Sequence, residues 1–122
     1  MPKLARHYLL EFDSCDRAAI DSPRAAMRAL RELCREAPLH PLRRASHRFK
    51  PQGLTVIMIL SESHLAFSTW PEYGYATLHL FLCGRTPKLK QAIAAFARRI
   101  GARKRRQRNW SCATAARRPK GS

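Results

Sequence analysis

Three strand patterns follow one another between residues 54 and 83, and they limit what the chain can fold into more than any other feature. The run "LTVIMIL" at 54–60 predicts a buried strand, and "SHLAFST" at 63–69 predicts another. The run "YATLHLFLC" at 75–83 alternates, with alanine and leucine on one face and mixed residues on the other. Consecutive strands joined by turns favour an antiparallel sheet.

A helix is predicted on each side of this group of strands. Ser22 followed by Pro23 is a typical helix start, and an apolar stripe continues to about Ala37. Residues 86–87 repeat the signal with threonine and proline, and the second helix is expected to end at Gly101. Each helix has one apolar face, which must be buried against another layer.

Further strands are predicted at 5–12, at 42–50 and around 109–113, which gives the order β-α-β-β-β-β-α-β. This order predicts an α+β fold, a two-layer sandwich in which two helices cover one face of an antiparallel sheet. At this length the chain is expected to form one domain. We assign that domain to residues 1–101 and a basic C-terminal tail to residues 102–122.

The positive charge is concentrated towards the end of the chain. The chain has a net charge of +16. Ten positive residues and no acids lie between Arg98 and the C-terminus, so residues 1–97 carry the remaining 16 − 10 = +6. Such a tail is able to contact nucleic acid through phosphates. However, no aromatic platform or known binding module accompanies it, so a solvated tail is the preferred interpretation.

Cysteine usage and hydropathy predict a cytoplasmic protein without a metal site. The four cysteines, at 15, 34, 83 and 112, form no CxxC pair, so a zinc site is not expected and the thiols are expected to be reduced. No apolar run approaches the roughly 20 residues that span a bilayer. The N-terminus also lacks the apolar region and cleavage site of a secretory signal.

Residue types that carry catalysis are concentrated in "SESHLAFSTWPEYGYATLHLFLCG", residues 61–84. Ser63 and His64 are neighbours on a predicted strand, so they point to opposite faces and fit a nucleophile–base pair poorly. The G-x-S-x-G elbow of serine hydrolases is also missing. His64 and His79 are single histidines on separate strands with no carboxylate at ligand spacing, and we interpret both as structural.

The same segment, preceded by "FKPQGLTVIMIL", resembles the prokaryotic S-adenosylmethionine decarboxylases, whose signature reads much like PQG-V-(S)…ESHLSIHTWPE-GYA…FTCG. The resemblance is close over residues 49–84 and looser over residues 5–101. It implies an enzyme that releases CO2 from S-adenosylmethionine, and the decarboxylated product donates aminopropyl groups for spermidine. It also implies a homodimer of cleaved protomers with each pocket near the subunit interface.

The resemblance further implies that the chain cuts itself to make its own cofactor. The Ser63 hydroxyl attacks the carbonyl of Glu62, the amide becomes an ester, and elimination releases a β chain of residues 1–62. The α chain, residues 63–122, then begins with a pyruvoyl group made from Ser63. That group forms a Schiff base with the substrate amine and accepts the electrons released on decarboxylation.

Four further residues receive roles from the family pattern. Cys83 lies at the position of the proton donor, and a thiol suits that role because its pKa is tunable. Glu72 matches the carboxylate that holds the ribose hydroxyls, and Phe49 matches the aromatic that stacks on adenine. Glu11 is expected to face the same pocket. The alternatives are a buried cysteine, a loop carboxylate and a core phenylalanine.

Two positions depart from the family pattern. Thr55 replaces the processing serine but keeps its hydroxyl. Ser68 replaces the processing histidine, which is the natural base for removing a proton near neutral pH. The loss of one general base typically slows a step by about 10²- to 10⁴-fold. The sequence is therefore compatible with slow self-cleavage and with an unprocessed, inactive homologue.

Two other functions also remain open at this point. Some relatives decarboxylate L-arginine or L-ornithine by the same pyruvoyl chemistry, and an altered residue beside the pyruvoyl group fits such a change. The adenosine-recognising pair, Phe49 and Glu72, favours S-adenosylmethionine instead. A binding module that acts through its basic tail is the last alternative.

Overall fold

The computed structural model describes residues 4–61 and 63–113. Its strands are β1 (Leu4–Asp13), β2 (Pro41–Arg48), β3 (Leu54–Leu60), β4 (Ser63–Trp70), β5 (Tyr75–Cys83) and β6 (Lys104–Ala113). Its helices are α1 (Arg17–Ile20), α2 (Pro23–Glu36) and α3 (Leu89–Arg99), and a 3₁₀ turn covers Pro71–Tyr73. No helix among these residues is long and apolar enough to cross a membrane.

The six strands form one antiparallel sheet in the order β2-β3-β4-β5-β1-β6. Strands β2 to β5 follow one another as a meander, because each is joined to the next by a short turn. The first strand, β1, lies between β5 and β6 and so closes the other half of the sheet. This arrangement confirms the predicted α+β sandwich, with the short α1 as an element that the sequence did not predict.

The two long helices cover one face of the sheet. Phe12 of β1, Phe67 of β4 and Phe96 of α3 are fully buried between the layers. Their ring centroids lie 5.6 Å apart for Phe12 and Phe96 and 5.3 Å apart for Phe67 and Phe96. Burial of such a side chain contributes about 1.5–3 kcal/mol, so these contacts tie the helices to the sheet.

Side chains on the opposite face of the sheet, here called the open face, remain exposed or half-buried. In β3 the alternation leaves Ile57 and Ile59 exposed by 47% and 51%, whereas Val56 and Met58 are buried. The prediction of a buried strand at 54–60 is therefore right for one face and wrong for the other. A run in which nearly every residue is apolar does not reveal which of its faces lacks a covering layer.

The helix starts differ from each other. Ser22 caps α2 as predicted, because its hydroxyl accepts a hydrogen bond from the Ala25 amide at 3.1 Å. The second predicted start is wrong, since α3 begins at Leu89 without a side-chain cap. Thr86 contributes its backbone carbonyl instead, which accepts a hydrogen bond from the Leu89 amide. Pro87 therefore lies in the turn that precedes the helix.

The predicted boundary between domain and tail also needs correction. Residues 104–113 form β6 and pair with the whole length of β1, so the sheet continues past residue 101. Every β6 side chain described is exposed, and six of the first seven residues after 101 are polar, so the segment showed no apolar alternation. Residues 114–122 of the predicted tail lie outside the described residues.

Candidate active site

Five polar side chains form a line across the open face, one from each of five neighbouring strands. In order they are His47, Thr55, Ser68, Thr77 and Glu11, here called the polar row. Thr55 and Ser68, the two positions that depart from the family pattern, are linked by a hydrogen bond of 3.0 Å between their hydroxyl oxygens. The antiparallel register alone therefore joins residues that lie far apart in sequence.

A cleft of about 480 Å³ lies beside Thr55 and Ser68. Its lining combines the predicted adenine and ribose residues with the hydroxyl pair: Phe49, Lys50, Pro51, Gln52, Thr55, Ser68, Thr69, Trp70 and Glu72. Phe49 is 47% exposed, which rules out the alternative of a core phenylalanine. The cleft is large enough for a small-molecule ligand, for which pockets span roughly 300–1,000 Å³.

The turn that carries Phe49 is held by Asp21, which lies between α1 and α2. The Asp21 carboxylate accepts a hydrogen bond from the Gly53 amide at 2.9 Å and forms an ion pair with Arg48 at 3.0 Å. The Phe49 amide donates to the Gly53 carbonyl at 2.8 Å. Gly53 has a φ of +95°, a conformation that side chains rarely adopt. These contacts fix one wall of the cleft.

Glu11 ends the polar row on β1 and is held from both sides. The Tyr75 hydroxyl donates a hydrogen bond to the Glu11 carboxylate at 2.8 Å, and Arg106 approaches the same carboxylate at 3.4 Å. Burial, followed by the hydrogen bond to Glu11, raises the pKa of Tyr75 to about 12. Tyr75 therefore stays protonated as a donor. Glu11 faces the polar row but does not line the cleft.

The predicted cofactor precursor and proton donor lie together at the other end of the sheet. Ser63 is the first residue of β4, and Cys83 is the last residue of β5. The pairing of His64 with Phe81 brings Ser63 opposite Leu82, beside Cys83. Both side chains are half-buried. Glu62, the predicted cleavage position, lies outside the described residues.

One chain therefore does not bring the predicted site residues together. Ser63 and Ser68 lie on the same strand, five residues apart. At about 3.3 Å per residue, their Cα atoms are separated by about 16 Å. Phe49, Thr55 and Glu72 lie with Ser68, whereas Cys83 lies with Ser63. The predicted site is divided between two ends of the sheet, and alternation puts Ser63 on the helix-covered face, whereas Ser68 and Cys83 lie on the open face.

Sequence reasoning also missed a cluster of three histidines on the open face. His7 and His79 approach to 3.3 Å between ring nitrogens, and His64 stacks on Phe81 with centroids 5.1 Å apart. The ring of His7 stacks on Trp110 at 5.0 Å. Burial, followed by the neighbouring His7 and His64, lowers the pKa of His79. Alternation puts each histidine on this face, but only the strand order brings them into contact.

Comparisons with known proteins give a consistent result. A family model described as S-adenosylmethionine decarboxylase matches residues 6–111. The S-adenosylmethionine decarboxylase proenzymes of Thermosipho melanesiensis and Thermotoga maritima are each 39% identical to this chain over 84 residues. These residues make up 69% of this chain but 65% of each relative, so the matched part is less than two thirds of their length.

Two other matches extend over nearly the whole chain. The proenzyme of Prochlorococcus marinus is 33% identical over 123 residues, which cover 96% of this chain and 98% of the relative. The crystal structure of the adenosylmethionine decarboxylase from Aquifex aeolicus has a TM-score of 0.81 at 24% identity and covers 90% of this chain and 91% of that one. This structure shows that the two chains share a fold.

The histidine cluster predicts a loss of stability in acid. Because the folded state favours neutral His79, its contribution is complete above the unfolded value of 6.5 and is lost as the pH falls below it. We expect the Tm, followed by circular dichroism, to fall between about pH 7 and pH 5. His79→Gln should reduce that slope, whereas His40→Gln, at an exposed loop position, should leave it unchanged. Equal slopes in all three proteins would contradict the prediction.

Proposed function

Because this chain belongs to the S-adenosylmethionine decarboxylase family, we propose that it is a self-cleaving, pyruvoyl-dependent decarboxylase of S-adenosylmethionine. The observation that carries the proposal is the cleft in which Phe49 and Glu72 lie beside the Thr55–Ser68 hydroxyl pair. Its product would supply aminopropyl groups for spermidine. All four cysteines are free, which fits a cytoplasmic enzyme.

We further propose that the working site forms between two copies of the chain. A two-fold axis that passes midway between Ser63 and Ser68 would bring Ser63 of one copy to Ser68 of the other, and the reverse. The open faces of the two sheets would then meet. Ser63, whose side chain lies on the covered face by alternation, would reach the partner from the end of β4. The exposed Ile57, Ile59 and Trp110 support this packing, because they are large apolar side chains on the face that no helix covers in the described part of the chain.

In such a dimer, self-cleavage would use residues of both copies. The Ser63 hydroxyl of one copy attacks the carbonyl of the preceding residue, Glu62, and the peptide bond becomes an ester. The Thr55 and Ser68 hydroxyls of the other copy are available as hydrogen-bond donors to the oxygen that becomes negative during this attack. Ser63 is half-buried at the first position of its strand, so a pyruvoyl group formed there would be within reach of a substrate.

The remaining site residues bind the substrate and move one proton. The ring of Phe49 offers an exposed face for adenine, and Glu72 offers a carboxylate for the ribose hydroxyls. A pyruvoyl group supplies the electron sink for decarboxylation. We assign to Cys83, on the strand paired with that of Ser63, the return of a proton to the carbon that loses CO2. Glu11, held by Tyr75, is the one expected pocket residue that lies outside this cleft.

The first prediction from this proposal concerns the covalent state of the protein. Intact-mass measurement should find two chains separated between Glu62 and Ser63, with the second chain blocked at its N-terminus. Ser63→Ala should remain one chain, because the attacking hydroxyl is gone. A single uncut wild-type chain would instead indicate the inactive homologue.

A second prediction tests whether the site is shared. Two tagged variants are co-expressed, one with Ser63→Ala and the other with Thr55→Val and Ser68→Ala. In the mixed dimer, only the chain with altered Thr55 and Ser68 should be cut, because its Ser63 meets the intact hydroxyl pair of its partner. Each variant expressed alone should stay uncut. Cleavage of the double variant by itself, or no cleavage in the mixture, would contradict a shared site.

A third prediction concerns the substrate. Release of CO2 should occur with S-adenosylmethionine and not with arginine or ornithine. Phe49→Ala should raise the KM on the order of tenfold, because stacking of a base on an aromatic ring contributes about 1–3 kcal/mol. Tyr73→Ala is the matched control, since this aromatic is 76% exposed and lies outside the cleft. Activity on the amino acids alone would assign the alternative decarboxylase function.

A further inference from the structure

We propose that His47 takes over the function of the histidine that is missing at position 68, as the terminal base of a relay that runs from Ser68 through Thr55 to His47. The inference rests on the proposed self-cleavage and on the shared site. It concerns one step, the removal of the Ser63 α-proton during ester elimination.

The polar row supplies the path of the relay. The Thr55 and Ser68 hydroxyl oxygens are 3.0 Å apart, and either atom is able to donate the proton. His47 is the cross-strand partner of Thr55 on β2. Side chains that lie directly opposite on antiparallel strands have Cβ atoms about 4.5–5.5 Å apart. An imidazole at this position is therefore the cross-strand neighbour of the Thr55 side chain.

The His47 ring is exposed and packs on Phe49. The side chain is exposed on the edge strand, and among residues 4–61 and 63–113 its ring nitrogens have no hydrogen-bond partner. Its ring meets the edge of Phe49 with centroids 4.7 Å apart, and Phe49 lines the cleft. Hydrogen bonds used in catalysis often tighten only when the reacting groups are in place.

Another histidine, His79, also lies near Ser68 but is a poorer acceptor. It is the cross-strand partner of Ala66, which makes it a diagonal neighbour of Ser68. One of its ring nitrogens already faces His7 at 3.3 Å. Its pKa is lowered by burial and by the neighbouring histidines, so it binds a proton less readily.

Charged groups of both signs lie near His47. Its strand neighbour Arg48 is engaged with Asp21 at 3.0 Å. Lys50 and Glu72, one of each sign, line the cleft. Thr55, on the strand packed beside it, carries no charge.

The elimination step balances without an external reagent. The Cα–H bond of Ser63 breaks, its electron pair forms a Cα=Cβ bond, and the Cβ–O bond breaks so that Glu62 leaves as a carboxylate. The α-proton passes to Ser68 while the Ser68 hydroxyl proton passes to Thr55. The Thr55 proton passes to the imidazole of His47, which later releases it to water. Addition of water to the remaining dehydroalanine and loss of ammonia give the pyruvoyl group.

The experiment follows cleavage from the moment of synthesis, in a cell-free translation system, at several pH values. His47→Gln should slow cleavage on the order of 10²-fold, since a general base contributes about 10²- to 10⁴-fold. The variant should also lose the decrease in rate that protonation of the imidazole causes in acid. Adding Ser68→His to His47→Gln should restore cleavage, which a structural role of His47 would not allow. His40→Gln, an exposed histidine just before β2, should be cut at the wild-type rate.

The outcomes separate this inference from the proposed function. A wild-type chain that cleaves, together with a His47→Gln variant of equal rate and equal pH profile, overturns the relay and leaves the proposed function intact. Loss of cleavage in His79→Gln with no effect in His47→Gln also overturns it, and assigns the base to His79. A wild-type chain that never cleaves overturns the proposed self-cleavage itself.

Discussion

The fold depends on a difference between the two faces of one sheet: helices cover one face and leave the other exposed. α2 and α3 bury every second side chain of the central strands, and this burial is the main source of stability. The intervening side chains remain on the open face, where polar and apolar residues are mixed. Because the covered face already holds the fold together, the open face is free to carry the polar row, the histidine cluster and the wall of the cleft.

The sequence was sufficient for whatever depends on local order along the chain. The alternation in β5 and the Ser22 cap of α2 were predicted correctly, since each signal lies within one element. The end of β6 agrees with the strand predicted around 109–113, but its charged first half was not predicted, because a strand exposed on both faces has no apolar alternation to detect. Its position beside β1 is set by long-range pairing, which no local pattern encodes.

For the candidate site too, the sequence identified individual residues but not the long-range contacts between them. The family resemblance identified Phe49, Glu72 and Ser68, and these residues do meet in one cleft. It gave no indication that Ser63, only five residues before Ser68, lies at the other end of the sheet. Because an extended strand holds its residues at a fixed spacing, two residues five positions apart on the same strand cannot come into contact. The neighbours of Ser68 come instead from strands distant in sequence.

The strand order has a consequence for how the molecule unfolds. A cut before Ser63 would divide the sheet so that β1, from the first fragment, lies between β5 and β6 of the second, while β3 and β4 remain paired across the break. The two fragments would be interleaved by three ladders of backbone hydrogen bonds and would separate only when the whole sheet opens. Refolding would then require two chains to meet, so recovery from denaturation would depend on protein concentration. After cleavage, the protein would therefore be stable mainly for a kinetic reason, because the sheet that holds the two fragments together opens slowly.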